Sequence, residues 1–523
     1  MMNTRRSEVI KELSFRPEDI GNVDDVTSVL SGKSGIASGK LRILRSYIDA
    51  RHKSDVKICY RVTDEPLTDS SAPVLIHKNK RFNNKNRPVI IGFGPAGMFA
   101  GLVLARYGLK PIIIEKGRDV DSRNRDVANY KKTGVIDQSS NIQFGEGGAG
   151  TYSDGKLNTG VSSDYKDYIY DVFIKHGAPE DIRYDSHPHV GTDNLVNVVK
   201  GIREEIISLG GEVYFEEELK EINLHNYARP ARLEGITTDK GYYPTDKLIL
   251  AIGNSSRDFV RANCNLLGIT SKPFSIGVRI EHLRADIDKA MYGFDTALYK
   301  NIFAANYKLV VDTGTGNKLY TFCMCPGGEV VPSASFANAV CTNGMSYRGR
   351  DGVNSNAALL IPFNPAYESD DPLYGMIFQD MLEMNAFKLA GSTANAPYMT
   401  YKDLKTGKSG SSYTTVHPTY APGVVPCDLR ELLPSYMIDT LTEGIALMGK
   451  KIRGFDSESA VLTAVETRSS SPVRIPRDKE SFQSVCIEGV YPAGEGAGYA
   501  GGIMSSAVDG IKCANRLAES VLL

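Results

Sequence analysis

The chain has 523 residues, 41% of them hydrophobic and 24% charged, the balance of an ordinary soluble globular protein. That length exceeds one hydrophobic core, so two or three domains are expected. The formal net charge of −1 conceals an asymmetry: residues 1–87 carry 17 Lys and Arg against 11 Asp and Glu, which leaves the remainder acidic. The eight cysteines lack the paired spacing of a secreted disulfide scaffold, and reduced thiols in a cytoplasmic protein are the simpler expectation.

The N-terminus, Met1-Met2-Asn3-Thr4-Arg5-Arg6, lacks an apolar signal core, and no stretch reads as a membrane span. Residues 1–77 read as a small α/β unit. A helix is expected near Val9, Ile10 and Leu13, then an amphipathic segment over 41–48 and a strand over 56–62. The loop from Ser31 to Lys40 resembles a Walker A motif only superficially. No glycine stands five residues before Gly32 or Gly39, and Leu41 follows Lys40. A Lys/Arg-rich linker, 78–87, follows. It motivates one alternative, in which the N-terminal region holds RNA.

Residues 89–117 carry the most information. An apolar strand from Val89 runs into Gly92-Phe93-Gly94-Pro95-Ala96-Gly97, then a helix, then the strand Pro111-Ile112-Ile113-Ile114 ending in Glu115-Lys116. This is the dinucleotide-binding pattern. Gly92 permits the tight turn, Gly94 lets a pyrophosphate approach the backbone, and Gly97 lets the helix pack on the sheet. The diphosphate is expected on the free N–H groups at the helix start. Glu115 falls about 20 residues on, where an acid accepts from a ribose hydroxyl.

The glycine-dense stretch 144–157, with Gly147 and Gly148, suits a loop pressed against a ligand. A helix with apolar periodicity from Leu195 to Ile207 ends at Gly210-Gly211 and feeds a strand over 212–215. Leu219 joins the expected ligand wall, and strands over 233–238 and 247–252 follow, the last carrying Ala251 and Gly253. From 271 to 428 the pattern turns to strands and irregular stretches. The chain then returns to Val490-Tyr491-Pro492-Ala493-Gly494-Glu495, a run of glycines, and a helix from Gly502 to Leu522. That run is a second backbone surface able to hug a ligand, with Gly501, Gly502 and Ile503 at the helix start.

The N-terminal Gly-x-Gly-x-x-Gly with Glu115, the mid-chain Ala251-x-Gly253 and the late strand-Gly-acid-helix resemble the glutathione-reductase-like FAD-binding superfamily. The resemblance implies that the first unit holds the ADP half of FAD, that Glu495 (where Asp is usual) meets the ribityl chain, and that the helix after Gly502 faces the flavin pyrimidine edge. The segments 144–157, 189–193, 273–282, 322–328, 343–346, 465–475 and 491–503 are similar to a family of bacterial FAD-dependent dehydrogenases. That likeness implies a cofactor and a reaction class and leaves the substrate open.

The expected fold is an FAD-binding three-layer Rossmann-like α/β domain built from 88–270 and 429–523. A mostly-β substrate domain, 271–428, is inserted into it, and a basic α/β module with its linker, 1–87, precedes it. The expected function is hydride transfer between flavin N5 and an organic small-molecule substrate. Flavin disulfide reductases carry a CxxC pair on the helix after the first acidic strand; the corresponding region here, 145–157, holds no cysteine, which argues against their chemistry at that position. No second strand-borne Gly-x-Gly-x-x-Gly exists, so NAD(P)H is expected only as a transient donor. His187 and His189 have strand-like metal spacing without further ligands, so no metal is expected. Substrate-side candidates are Arg468 as an anion clamp, with an ion pair to Glu466 as the plainer reading, Asn343, Tyr499, and Cys325 of the Cys323-x-Cys325 pair, whose side chains share one face of a regular strand as a redox or thiol site, with burial in the core as the plainer reading. Oligomeric state is not legible from the residues.

Overall fold

The computed structural model of the chain describes residues 10–66, 87–158, 160, 162–226, 230–410, 412–413 and 415–522. The Lys/Arg-rich linker lies outside the described residues except at Arg87, which pairs with Glu212.

Lys11–Phe15 is a strand, not the expected helix, because its burial alternates: Leu13 and Phe15 point inward and their neighbours outward. It pairs with Lys57–Thr63, which also pairs with Arg42–Asp49, and the helix Val26–Ser34 packs on this three-stranded antiparallel sheet. Residues 10–66 carry ten Lys and Arg against nine Asp and Glu, so the positive excess of 1–87 sits mainly outside this folded unit. The module docks on the main body. Ser46 N–H donates to the Tyr184 carbonyl at 2.7 Å, and Asn301 Nδ2 donates to the carbonyls of Ile20 and Val23.

The central domain is built on five parallel strands in the order Val490–Pro492, Leu248–Leu250, Val89–Ile91, Ile112–Ile114, Glu212–Tyr214. These short strands are nearly all apolar, as expected for a parallel sheet covered on both faces. On one face lie the helices Pro95–Arg106, Thr192–Ser208 and Ile503–Leu522, which share one core with the sheet. On the other face lies an antiparallel meander, Leu219–Asn226 with Ala231–Thr238, whose Leu219, Ile222, Leu233 and Ile236 pack against Val89, Ile91, Ile114 and Leu248. This gives a helical layer, a parallel sheet and an antiparallel sheet.

The inserted domain enters and leaves through a two-stranded ribbon, Thr270–Ser271 paired with Val473–Arg474. Its seven-stranded sheet runs Val310–Asp312, Lys318–Cys325, Asn354–Phe363, Phe274–Leu283, Val461–Glu466, Ala396–Thr400, Val424–Pro426. Two sequence expectations change here. The strand Val461–Glu466 and the helix Ser435–Gly449 belong to this domain, so it ends near 470, not at 428. The domain is also mixed rather than mostly β, because Tyr374–Leu389 and Ser435–Gly449 cover one sheet face. Strand alternation divides the faces: Ile276, Val278 and Ile280 join that helical core, while Gly277, Arg279 and Glu281 take the opposite parity. Among the described residues, no helix is long and apolar enough to cross a membrane.

Candidate active site

A cavity of about 1150 Å³ runs from the carboxyl ends of the parallel strands to the inserted domain. Ligands of open α/β sheets collect at this edge. At one end its wall is made by Gly92, Gly94, Pro95, Ala96, Glu115, Lys116, Leu219, Ala251 and Gly253, and further along by Gly148, Gly494, Glu495, Gly501, Gly502 and Ile503. Gly97 and Gly147 stand behind the wall, Gly97 in the packing role expected of it and Gly147 against the expectation of a ligand-side glycine. A Cβ on Gly97 would lie 1.9 Å from the Gly92 carbonyl oxygen, so Gly97 serves helix–turn packing. Gly147 donates its N–H to the Phe93 carbonyl at 2.8 Å.

Gly94 has no such internal reason to be glycine. Its φ is −76°, and a Cβ there would meet only Gly148 Cα at 3.7 Å, an ordinary contact. The space in front of it is cavity, which suits a cradle for a group that approaches the backbone. The helix beginning at Pro95 has no side-chain cap, so N–H groups of its first turn are available to an anion.

Glu115 does more than face a ribose. Its carboxylate accepts N–H bonds from Phe93 (2.8 Å), Gly117 (2.9 Å) and Gly145 (2.9 Å), and so ties together three loops at this end of the cavity. Two carboxylate oxygens offer about four acceptor positions, so one remains for a ligand hydroxyl. Lys116 is paired with Glu218 at 2.9 Å and lies over the Phe144 ring.

Glu495 sits at the start of the late glycine run. Burial pushes its carboxyl up to about 7, against the opposing pull of Lys272 and Asn254. A carboxyl that holds its proton near neutrality can donate to a hydroxyl as well as accept. The start of the C-terminal helix, Gly501 to Ser506, lines the same region.

The inserted domain and the glycine-rich loop supply the floor. Asn343 lines the cavity, and its Oδ1 accepts from the Gly344 N–H at 2.8 Å. Glu466 also lines it, held from behind by Arg279 through bonds of 2.7 Å each. Lys156 reaches the floor with a buried Nζ that has no hydrogen-bond acceptor and stands 3.6 Å from Asp154 Oδ2. Lys156 and Lys272 escaped sequence reasoning, since no local motif marks them as site residues.

Three substrate-side expectations change on inspection. Glu466 pairs with Arg279, not Arg468. Arg468 lines the cavity but grips Glu383 (2.9 and 2.6 Å) and donates to Ser255 and Ser335, so four of its N–H groups are engaged within the protein. Cys325 is fully buried, and Cys323 is the thiol at the cavity. The Tyr499 hydroxyl accepts from Arg477 N–H and donates to the Ile475 carbonyl, which leaves its ring as wall. His189 is buried against the Arg348 carbonyl, and no described cluster of His, Cys, Asp or Glu is arranged for a metal.

A Clostridium beijerinckii (strain ATCC 51743 / NCIMB 8052) protein described as "Uncharacterized protein" is 40% identical over 539 residues, spanning 99% of this chain and 96% of its own length. The chain belongs to that protein's family. Residues 273–469 also match the family described as "FAD-dependent protein, C-terminal domain-like". Those limits follow the inserted domain as folded, between the two strands of its entry ribbon. The match supports FAD as the cofactor. Among solved structures, a mutant of the halogenase PltM in complex with FAD is 12% identical with a TM-score of 0.39, covering 84% of this chain and 69% of its own. Glycine oxidase from Bacillus cereus ATCC 14579 is 12% identical with a TM-score of 0.32, covering 83% of this chain and 98% of its own. Likenesses this remote do not fix a reaction.

Proposed function

We propose that the protein is an FAD-dependent oxidoreductase that transfers a hydride between flavin N5 and a small organic substrate lodged against the inserted domain. The observation that carries this reading is the continuity of the cavity. It joins the Gly94 cradle and Glu115 at one end to Glu495, the C-terminal helix start and the Lys156–Asn343–Glu466 floor at the other. The residues present fit the cofactor: a cradle open at Gly94, a free acceptor position on Glu115, and uncapped N–H groups at the Pro95 helix.

FAD, when bound, supplies the two-electron chemistry. The chain supplies binding, orientation and charge. The Pro95 helix start would hold the diphosphate, and Glu115 would accept from the ribose. Glu495, which retains its proton, would donate to a hydroxyl of the linking chain. The N–H groups and dipole of the C-terminal helix start would favour an electron-rich edge of the cofactor there. Lys156, ion-paired with Asp154 at 3.6 Å but donating no hydrogen bond, is placed to hold an anionic group of the substrate, and Asn343 to bond a carbonyl. Eight free thiols suit a cytoplasmic setting.

The test is an anaerobic titration of the purified protein with NADPH and then NADH, followed by candidate organic donors, while the visible flavin band is monitored. Bleaching by any of these supports an oxidoreductase and names its donor class. A bound flavin that no donor or chemical reductant changes would contradict the reading.

A further inference from the structure

The cavity floor holds a second reactive group that hydride transfer does not require. The strand Lys318–Cys325 pairs with Asn354–Phe363, but the register slips: Phe322 faces Ala358 while Cys325 faces Asn356. The extra residue makes a bulge, and Cys323 sits in it at φ +45°, in the left-handed region that non-glycine residues seldom adopt. The bulge breaks the same-face rule of a regular strand. Cys323 lines the cavity, while Cys325 lies fully buried behind it. The Cys325 thiol remains beside its neighbour, its S–H donating to the Cys323 carbonyl oxygen at 3.3 Å.

The surroundings treat the two sulfurs differently. The adjacent Cys325 thiol, helped by Lys156 and Arg279, lowers the Cys323 thiol against the opposing effect of burial. Cys325 is pushed up, first by Cys323 beside it and then by burial. Cys323, at the cavity, is thus the thiol that an entering disulfide meets, with the buried Cys325 behind it as the resolving partner. Cys341, buried in the same domain, is pushed up to about 11 and makes an inert neighbour.

We propose that Cys323 and Cys325 form a redox-active dithiol that reduces low-molecular-weight disulfides entering the cavity. The Cys323 thiolate attacks one sulfur of R–S–S–R, and R–S⁻ leaves as a mixed disulfide forms. Cys325 gives up its proton and attacks the Cys323 sulfur, closing the Cys323–Cys325 bond and releasing the second R–S⁻. The two thiolates take up protons from Cys325 and solvent, so two thiols lose two electrons and one external disulfide gains them. Reduced flavin is the donor class that restores the pair: two electrons and two protons convert the disulfide back to two thiols. The restoring step alone rests on the flavin reading. The cavity position of Cys323 selects small disulfides over protein ones.

The test uses the purified full chain. Hydroxyethyl disulfide or oxidised glutathione is added, free thiols are alkylated, and tandem mass spectrometry locates any loss of two hydrogens. The flavin spectrum is recorded on the same sample. The expected result is a dithiothreitol-reversible Cys323–Cys325 bond, with Cys341 still alkylated. Cys325→Ser should then trap a mixed disulfide on Cys323, and Cys323→Ser should take up none. Wild-type protein in which both thiols stay free with both reagents overturns the inference, and so does a stable mixed disulfide in the wild type. If that happens while the flavin band is present, the proposed oxidoreductase stands. A Cys323–Cys325 bond in protein that binds no flavin supports the dithiol and removes the flavin reading.

Discussion

Arg279 and Glu466 stand on adjacent strands of the inserted sheet, Glu466 opposite Gly277 and Arg279 opposite Thr463, and join diagonally through two bonds of 2.7 Å, Nε to Oε2 and Nη2 to Oε1. The guanidinium is fully buried, and its Nη1 also reaches Asn356 and the Cys323 carbonyl. One buried cation thus fixes the carboxylate, the amide and the bulge beneath the cavity. Arg279→Met should leave Glu466 buried and uncompensated and cost on the order of ~3–5 kcal/mol in urea unfolding. Arg279→Met paired with Glu466→Leu should recover much of that loss. A double variant as unstable as the single one would show that the pair's charge is not what matters.

Gly94→Val separates cofactor binding from folding. A Cβ there meets only ordinary contact within the protein, so the variant should keep the unfolding midpoint of cofactor-free wild type. It should retain no flavin, because the side chain fills the space where a diphosphate approaches. Absorbance near the flavin maximum per mole of purified chain checks this. A fully loaded variant would place the diphosphate elsewhere.

Glu115→Ala should harm the fold as well as the affinity. Three buried N–H groups, on Phe93, Gly117 and Gly145, lose their acceptor together. At ~1–3 kcal/mol for each stranded group, a loss of at least ~3 kcal/mol is expected even without cofactor. Glu115→Gln, which keeps one acceptor oxygen, should lose less. Thermal unfolding of the cofactor-free proteins distinguishes these outcomes, and an Ala variant of unchanged stability would contradict the network.

How much of this was legible in the residues follows from the range of the forces involved. The Gly92–Gly97 turn, Glu115 and the Gly494–Gly502 run were readable because glycine spacing between an apolar strand and a helix constrains the backbone locally. The partner of Arg468 was not. Glu383 lies on a helix far away in sequence, and only the packing of that helix on the inserted sheet brings the two together. The Cys323-x-Cys325 pair misled for a related reason, since strand parity predicts one shared face and a bulge cancels it. The boundary near 428 failed because the inserted sheet receives an interior strand, Val461–Glu466, only after the helix Ser435–Gly449. At the N-terminus, Leu13 and Phe15 show the period of a strand, which a five-residue stretch displays too briefly to separate from a helix.

Glu495 gives the cofactor-free protein a pH signature. Its folded carboxyl titrates near 7, above the ordinary carboxylate value of 4.5. The unfolded chain therefore releases this proton first as pH rises. The contribution to stability is fully present below about 4.5 and is lost as pH climbs toward 7, by up to ~3 kcal/mol. Glu495→Gln should flatten this decline between pH 5 and 7 in thermal unfolding. Identical pH profiles for variant and wild type would contradict the buried, proton-holding carboxyl.

The most direct test of the central claim is to identify what the purified protein carries in this cavity. The protein is denatured, the released small molecules are separated by chromatography, and FAD is quantified per chain. The account predicts close to one FAD per chain, either as purified or after incubation with added FAD, and none for Gly94→Val. A colourless protein that takes up no added FAD, or one that loads equally well with valine at position 94, would contradict it.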